Sequence, residues 1–391
     1  MWQRIKNVYH LGNAFLANVW FGFPSRRLIV IGVTGTDGKT TTTSLIYHIL
    51  HKAGYSASMI SSVGAIIGGK EYDVGFHVTT PSPWALQRFI SLCHPELVSG
   101  SQFGDSDAAS LEMPKRVRHD NKDHYLVLET TSHALDQYRV WGIEFDIGVL
   151  TNVTHEHLDY HKTYENYVRT KAKLLQMARV AVVNRDDESF KLISNFKFLI
   201  SKLVTFGMTK KADVNPKVFP FKTNMIGEFN RYNVLAAVAT CRSLGIEDEI
   251  IRRAILTFKP PIGREEIIYK NPFTIMIDFA HTPNAYDAIL SSVKPSIKGR
   301  LIHVFGSAGE RDASKRPLMG NVSSKYANVI VLTAEDPRSE PVEKIISEIE
   351  SGIKIPNSKF QINPKLKFSK FQIDRKRLVL RLRWQDEGIL F

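Results

Sequence analysis

Cysteine is nearly absent from this sequence, with Cys93 and Cys241 as the only two among 391 residues. A pair so far apart in the chain makes a disulfide framework improbable and matches no spacing typical of a zinc site. Hydrophobic residues make up 43% of the sequence, which is ordinary for a globular protein. We therefore expect a folded protein of a reducing, cytoplasmic compartment.

Long apolar runs are missing as well. No stretch reaches the roughly 18 uncharged apolar residues that a membrane-spanning helix requires, so we expect no transmembrane segment. The best candidate, residues 7–23, is interrupted by Asn, His and Gly and has no small-residue cleavage site, which argues against a signal peptide. We interpret it as a helix packed on the body of the protein, with an interfacial amphipathic helix as the alternative.

Acidic residues are outnumbered by basic ones, which gives the chain a formal net charge of +13. This excess favours anionic partners such as nucleotides, phosphosugars, nucleic acid or an anionic membrane surface. No recognition motif and no interleaving of aromatic with basic residues supports nucleic acid, so no specific nucleic-acid partner is expected.

Short apolar strands alternate with helical stretches from residue 28 onward, a pattern typical of parallel βαβ units. The length exceeds that of one ordinary core. We predict an α/β fold in which a central, mostly parallel P-loop-type sheet domain (28–260) precedes a smaller, incomplete Rossmann-like domain (261–391). The junction is the Pro- and Gly-rich sequence KPPIG.

Three other segments complete this organisation. Residues 1–27 form an N-terminal segment, and residues 226–258 are predicted to form two helices joined at Gly245. A second α/β series is predicted to begin at FTIMIDFA. The polar, aperiodic segment at about 93–123 is interpreted as an inserted surface loop.

Residues 32–43, GVTGTDGKTTTT, follow an apolar strand and precede a helix. Such a turn directs backbone N–H groups at an anion near the positive end of the helix dipole. A lysine there meets the outer phosphates, and the hydroxyl residue after it can bind Mg²⁺. The spacing is shorter than that of the standard P-loop, and an ordinary strand-to-helix turn is the alternative. The predicted nucleotide-binding residues are Gly35, Thr36, Asp37, Gly38, Lys39, Thr40 and Thr41.

A second polar cluster follows two later strands. Glu129 ends an apolar strand, where a carboxylate needs a cation or a donor. A turn after the next strand contains several possible ligands, and carboxylates with imidazole suit Mg²⁺ or Mn²⁺ better than zinc. A solvated, histidine-rich loop is the alternative. The turn contains His155, Glu156, His157, Asp159 and His161.

Several motifs occur in the order and spacing of the Mur ligases, and the chain resembles that family from about residue 28 to 345. The motifs are GVTGTDGKTTT, TTP, ETTSHALDQYR, TNVTHEHLDYH, TKAKLL, GEFNRYNVLAA, GREE, IDFAHTPNA and VFGSAGERDASKRPLMG. The last two are typical of the branch that adds the third amino acid. A folylpolyglutamate-type ligase shares the loop and fold but lacks SHALxQxR and GERDxxKRP.

The resemblance implies an ATP-dependent, ADP-forming acid–amino-acid ligase of peptidoglycan precursor synthesis. It would add diaminopimelate or lysine to UDP-N-acetylmuramoyl-L-alanyl-D-glutamate through an acyl phosphate. The implied cofactors are ATP and Mg²⁺, and a monomer is expected. A nucleotide-binding homologue with little activity is the alternative from another functional class.

The same resemblance assigns roles near the nucleotide. Lys39 would hold the β- and γ-phosphates, and Thr40 and Glu129 the first Mg²⁺, while His157 would help bind a second. Lys171 matches a lysine that is carbamylated in related enzymes, with Lys173 as the alternative alignment. Further ATP contacts are implied for Asn230, Arg264, Asp278 and His281.

The substrates are assigned in the same way. The muramoyl acceptor is expected to contact Thr79, Thr80, Thr131, Gln137 and Arg139, where threonine at 131 replaces the usual serine. The incoming amino acid is expected to meet Arg311, Glu335, Asp336, Pro337 and Arg338. The diaminopimelate-adding enzymes usually have Asp-Asn-Pro-Arg where this chain has Glu335-Asp336-Pro337-Arg338. The retained arginine favours diaminopimelate over lysine, and the change from asparagine to Asp336 weakens that preference.

The sequence departs from the family at both ends. The family's uridine-binding domain is represented here only by residues 1–27, and after residue 376 the family's GKGHE loop does not appear. On the sequence alone we expect a chain that binds nucleotide but ligates poorly.

Overall fold

The structure is a computed structural model. It describes residues 2–75, 79–94, 124–154, 156–196 and 202–354. The chain forms two units, Met1–Val293 and Lys294–Phe391, and each is described by itself. The boundary that we predicted at residues 260 and 261 stays a prediction. The proposed inserted loop lies outside the described residues from 95 to 123, and so does the C-terminal departure.

The first unit alternates strands with helices. Its strands are β1 (Ile29–Thr34), β2 (Ser56–Ser61), β3 (Gly64–Ile67), β4 (Lys70–Tyr72), β5 (His124–Glu129), β6 (Phe145–Leu150), β7 (Ala178–Asn184), β8 (Lys202–Phe206), β9 (Glu266–Lys270) and β10 (Thr274–Ile277). Its helices are α1 (Trp2–Trp20), α2 (Lys39–Lys52), α3 (Pro83–Leu92), α4 (Ser132–Asp136), α5 (Leu158–His161), α6 (Tyr164–Gln176), α7 (Ser189–Asn195), α8 (Glu228–Ser243), α9 (Asp248–Thr257) and α10 (Pro283–Val293).

An eight-stranded sheet in the order β4-β3-β2-β5-β1-β6-β7-β8 forms the centre of this unit. The six strands from β2 to β8 in that order are parallel, and β3 and β4 add an antiparallel edge. The prediction of a mostly parallel central sheet is confirmed. Because β1, β5 and β6 are parallel neighbours, the loops that follow them meet at one edge.

Both faces of β1 are covered, which explains its continuous apolar sequence. Ile31 and Val33 lie in one core with residues of α2 and α8, whereas Val30 faces a second core that includes Leu86 of α3. The two-residue period of a strand produces this division.

Helix α1 accounts for the N-terminal segment. Its small residues Ala14 and Ala17 are buried, and the Asn18 side-chain amide donates to the Trp141 carbonyl at 2.7 Å. The interpretation of residues 7–23 as a helix packed on the body agrees with this arrangement. Within the described ranges, no helix combines the length and apolarity needed to cross a bilayer. The exposed apolar residues of α1 are Val8, Tyr9, Phe15, Leu16, Val19 and Trp20.

The predicted pair of helices around Gly245 is found as α8 and α9, with Gly245 in the left-handed region at φ 80°. The strand predicted at FTIMIDFA is found as β10, and α10 follows it. Strand β10 pairs antiparallel with β9, because Asn271 adopts φ 92° and lets the chain reverse within the intervening turn.

The second unit, as far as residue 354, is a small α/β structure. Strands β11 (Ile302–Phe305) and β12 (Val329–Leu332) are parallel, and α11 (Lys315–Tyr326) connects them. Helix α12 (Val342–Glu350) follows β12. The loops after β11 and β12 therefore meet at one edge.

Phe145→Ala is expected to weaken the first unit. The Phe145 ring is 2% exposed and fills the space over Gly32 of β1, where an added Cβ would lie 2.7 Å from a ring carbon. Removing the ring should lower the free energy of unfolding by about 3–5 kcal/mol. Urea denaturation measures this loss. Leu203→Ala, at a 44% exposed position on β8, is the control and should cost under about 1 kcal/mol.

Candidate active site

The loop between β1 and α2 requires glycine at two positions. Gly38 has φ 78°, and a Cβ there would lie 2.1 Å from the Asn233 amide oxygen. A Cβ on Gly35 would lie 1.8 Å from the Thr151 hydroxyl oxygen. At both glycines, the close approach of another segment of the same chain excludes a larger residue. At Gly38 the left-handed backbone conformation excludes it as well.

The residues that follow β6 hold this loop in place. The Thr36 N–H donates to the Asn152 carbonyl and the Asp37 N–H to the Asn152 side-chain oxygen, both at 2.9 Å. The Thr151 hydroxyl donates to the Asp37 carbonyl at 2.7 Å. Our sequence reasoning quoted TNVT as a motif but gave these two residues no role. Their position after a buried strand at the sheet edge is the signal that could have identified them.

Lys39 begins α2, a helix of 14 residues, and therefore lies at the positive end of its dipole. The Lys39 Nζ reaches back across the loop and donates to the Thr36 carbonyl at 2.8 Å. The loop thus combines a cation, a helix N-terminus and a fixed backbone turn. This combination is suited to binding a phosphate group.

A buried carboxylate lies beside the start of α2. Glu129, 1% exposed, accepts from the Thr40 hydroxyl at 3.2 Å, from the Ser62 N–H at 3.0 Å and from the Ser62 hydroxyl at 3.3 Å. Each of these three donors is an uncharged group. A carboxylate beside a threonine hydroxyl is a hard oxygen donor set that fits Mg²⁺. Our sequence reasoning missed Ser62, because only a serine pair at a strand end marks it.

Lys171 is buried against the same loop. It is 2% exposed, its Nζ donates to the Gly35 carbonyl at 2.5 Å, and it lies 4.5 Å from the centre of the Tyr167 ring. Burial, with a contribution from Lys39, lowers the pKa of the Lys171 amine well below its usual value. Lys173 instead pairs with Asp136 at 3.3 Å on a partly exposed surface. The loop therefore meets Lys171 and not Lys173.

A histidine cluster lies on and around α5. The rings of His133 and His157 are 5.1 Å apart, and those of His133 and His161 are 5.7 Å apart. Burial is the main reason why the pKa of His157 falls to about 4 and that of His161 to about 3. A neutral imidazole is the form that binds a metal.

The turn before α5 is only partly described. His155 and the side chain of Asp159 lie outside the described residues. Among the side chains that are described, no three of His, Cys, Asp or Glu are arranged to hold a metal ion. His157 would therefore need a further ligand from a substrate or from a modified residue.

The chain after the predicted domain junction returns to the loop. The Arg264 guanidinium donates to the Thr40 hydroxyl at 3.2 Å and stacks over the Phe279 ring at 4.7 Å. His281 lies 3.4 Å from a carboxylate oxygen of Glu156. Two predicted ATP contacts are thus brought to the site.

Glu265 joins the other two predicted ATP contacts. Its carboxylate accepts from the Asn230 amide and, at 2.9 Å, from the Ile226 N–H, while its own N–H donates to Asp278 at 2.9 Å. Burial raises the pKa of Glu265 to about 7. The GREE motif was part of the family resemblance, but the sequence predicted no role for Glu265.

The predicted acceptor residues form one network. Thr80 donates its hydroxyl to the Glu129 carbonyl at 3.2 Å and accepts the Thr131 N–H at 3.1 Å. Arg139 donates to the Thr80 carbonyl at 3.2 Å and to the Gln137 side-chain oxygen at 2.7 Å. The Thr131 hydroxyl also caps α4. Thr79 is adjacent and half-buried.

The predicted amino-acid contacts lie within the second unit, on the loops after β11 and β12. The Gly309 N–H donates to the Asp336 carbonyl at 2.8 Å, and a Cβ on Gly309 would lie 1.9 Å from the Pro337 carbonyl oxygen. The two loops are therefore in close contact. The side chains exposed along them include Arg311, Glu335 and Arg338.

Comparison with known families gives two matches. The Mur ligase middle domain matches residues 33–241, and the Mur ligase glutamate ligase domain matches residues 263–368. The UDP-N-acetylmuramoyl-L-alanyl-D-glutamate--2,6-diaminopimelate ligase of Aquifex aeolicus (strain VF5) is 38% identical, with 86% of this chain and 67% of that protein covered. Ligase 1 of the same name from Clostridium acetobutylicum is 35% identical, with 85% and 68% covered. The chain spans about two thirds of the length of these relatives.

Solved structures give a consistent result. A UDP-N-acetylmuramoyl-L-alanyl-D-glutamate--2,6-diaminopimelate ligase has a TM-score of 0.57 at 27% identity, with 84% of this chain and 66% of that chain covered. Escherichia coli FolC, in complex with DHPP and ADP, has a TM-score of 0.65 at 18% identity, with 87% and 82% covered. The FolC likeness shows a shared fold alone.

Glu265→Gln should change how the free energy of unfolding depends on pH. The folded pKa of about 7 exceeds the ordinary value of 4.5, so the folded chain binds this proton more tightly than the unfolded chain. The wild-type free energy should therefore fall as pH rises from 4.5 to 7, by at most about 1.4 kcal/mol per pH unit from this group. The variant should lack this component, as measured by urea denaturation across the window. Equal slopes would contradict the assignment.

Proposed function

Because the chain belongs to the Mur ligase family, we propose that it is an ATP-dependent, ADP-forming ligase of peptidoglycan precursor synthesis. Its substrates would be UDP-N-acetylmuramoyl-L-alanyl-D-glutamate and an amino acid, diaminopimelate in preference to lysine. The printed names of the relatives at 38% and 35% identity support this choice. The observation that carries the proposal is the buried Glu129–Thr40 pair beside Lys39 and the glycine turn.

ATP would bind with its phosphates in the turn after β1. The backbone N–H groups from Gly38 to Thr41 would surround the phosphates, with Gly35, Thr36 and Asp37 shaping the turn. Lys39 would exchange its bond to the Thr36 carbonyl for the β- and γ-phosphates. Further contacts with the nucleotide are proposed for Asn230, Arg264, Asp278 and His281.

Thr40 and Glu129 would hold a first Mg²⁺, and His157 would contribute to a second. Bound Mg²⁺ would neutralise charge on the phosphoryl oxygens. The donor set supports this assignment, since a carboxylate beside a threonine hydroxyl supplies the hard oxygen ligands that Mg²⁺ prefers.

The proposed ligation has two steps. A carboxylate oxygen of the dipeptide attacks the γ-phosphorus as the bond to the bridging oxygen breaks, which gives an acyl phosphate and ADP. The amine nitrogen of the amino acid then attacks the acyl carbon, phosphate leaves, and the nitrogen loses a proton. The network of Thr80, Thr131, Gln137 and Arg139, with Thr79 beside it, would hold the acceptor so that its carboxylate meets the phosphate.

Lys171 is proposed to act as a carbamate. Its neutral amine would attack CO₂, forming an N–C bond and releasing a proton, and the new carboxylate would add an oxygen ligand near His157. Burial lowers the pKa of the amine, which favours its neutral form and supports this reaction.

The incoming amino acid is assigned to the second unit. Arg311 and Arg338 would bind its carboxylates, since guanidinium groups make bidentate pairs with them. Glu335, Asp336 and Pro337 would shape the loop around Arg338.

Lys39→Ala tests the proposed nucleotide site. ATP affinity should fall about 10- to 100-fold, the equivalent of about 1.5–3 kcal/mol for a charged hydrogen bond. Isothermal titration with Mg-ATP measures affinity, and phosphate release with the muramoyl dipeptide and diaminopimelate measures turnover. Lys52→Ala, at the exposed end of the same helix, is the matched control. An unchanged ATP affinity would refute the site, and binding without phosphate release would indicate a nucleotide-binding homologue.

Lys171→Arg tests carbamylation, because arginine keeps a long nitrogen-bearing side chain but cannot form the carbamate. With isotopically labelled bicarbonate, the wild type should give a carbamate resonance by NMR, and the variant should give none. Lys173→Arg should retain the resonance, since Lys173 lies on a partly exposed surface beside Asp136. A resonance that persists in Lys171→Arg and disappears in Lys173→Arg would reverse the assignment.

A further inference from the structure

Arg316 of α11 is a fully buried cation in the second unit. Its two terminal nitrogens form a fork on the Glu340 carboxylate at 3.0 and 2.8 Å. The guanidinium also donates to Glu348 at 2.5 Å and to the Ala308 carbonyl at 3.1 Å. One side chain thus connects the loop after β11, the segment before α12 and α12 itself.

Glu340 extends this connection to the backbone. The carboxylate that receives the Arg316 fork also accepts the Glu310 N–H at 3.1 Å. Lys344 pairs with it from the exposed side at 2.9 Å. The hydrogen bonds to Arg316 are the main reason why the pKa of Glu340 lies far below its usual value, so the carboxylate remains charged. Glu310 directly precedes Arg311.

Both loops carry a backbone conformation that must be enforced. Glu310 has φ 52° and Arg338 has φ 53°, in the left-handed region that non-glycine residues seldom occupy. The Gly309–Asp336 hydrogen bond and the Glu310–Glu340 hydrogen bond flank these two residues. Such conformations persist when the surrounding contacts determine them.

Stability alone explains this ion pair poorly. A buried ion pair is often no more stabilising than a well-packed apolar group of similar volume. In the described part of the chain, the Arg316 Nε also lacks a hydrogen-bond partner, which adds to the cost of burial. A fixed geometry of the two loops is the property that an apolar replacement would lose.

We propose that Arg316 and Glu340 are positioning residues for the amino-acid substrate. By fixing the backbone at Glu310 and Arg338, they present the guanidinium groups of Arg311 and Arg338 to the carboxylates of the incoming amino acid. The inference rests on the proposed function, and it adds two residues that touch no substrate themselves.

Two isosteric variants separate positioning from stability. Glu340→Gln and Glu348→Gln each remove one carboxylate from buried Arg316, but only Glu340 accepts the Glu310 N–H. Hydrogen–deuterium exchange of residues 307–313 measures loop order. The KM for diaminopimelate and the KM for ATP, from phosphate release, measure function, and the thermal midpoint of each variant monitors folding.

In Glu340→Gln we expect at least tenfold faster exchange at Gly309 and Glu310 and about a tenfold higher KM for diaminopimelate, with the KM for ATP within twofold. Glu348→Gln should keep the wild-type exchange rates and both wild-type KM values. Its thermal midpoint should be similar to that of Glu340→Gln. Equal behaviour of the two variants, or faster exchange with an unchanged KM for diaminopimelate, would overturn the inference alone. A wild-type chain whose phosphate release depends on no amino acid would overturn the proposed function, and the inference with it.

Discussion

The buried carboxylate of Glu129 needs hydrogen-bond donors, and the first unit supplies them from segments that follow two other strands. It lies at the end of a central strand, and its donors are the hydroxyls of Thr40 and Ser62 and one N–H. Three strand ends must coincide for this contact, since Thr40 follows β1, Ser62 follows β2 and Glu129 ends β5. The parallel pairing of β1, β5 and β2 supplies that coincidence. Sheet topology therefore brings together the groups of the proposed cation site.

The segment after α9 is part of the same arrangement. Arg264 reaches Thr40, and Glu265 binds Asn230 of α8, so residues far apart in sequence converge beside the glycine turn. A raised pKa at Glu265 reflects this burial. In the second unit, buried Arg316 connects the loop after β11 to Glu340, and each of the two loops has one residue in the left-handed region. In both units a buried ionisable side chain is hydrogen-bonded to the backbone near candidate binding groups.

The sequence predicted the parallel sheet, the glycine turn and the family, because apolar period, glycine spacing and motif order are local properties. Lys39 and Glu129 follow from the same reasoning, since Lys39 follows the glycine turn and Glu129 ends an apolar strand. The hairpin of β9 and β10 was not predicted. An apolar run of four residues has the same pattern in a hairpin as in a parallel sheet, and only the turn at Asn271 distinguishes them.

The tertiary structure decided which residues share the site. Lys171 and Lys173 are two residues apart, but a helix turns about 200° over that distance, so one faces the loop and the other faces Asp136. The rotation of α6 about its axis, relative to the sheet, determines which lysine faces the loop. The sequence motif does not specify that rotation. Ser62, Asn152 and Glu265 carry only weak local signals, because their partners lie at least 35 residues away in the sequence. Sequence by itself determined the chemistry that the chain offers, whereas packing determined which of those groups meet.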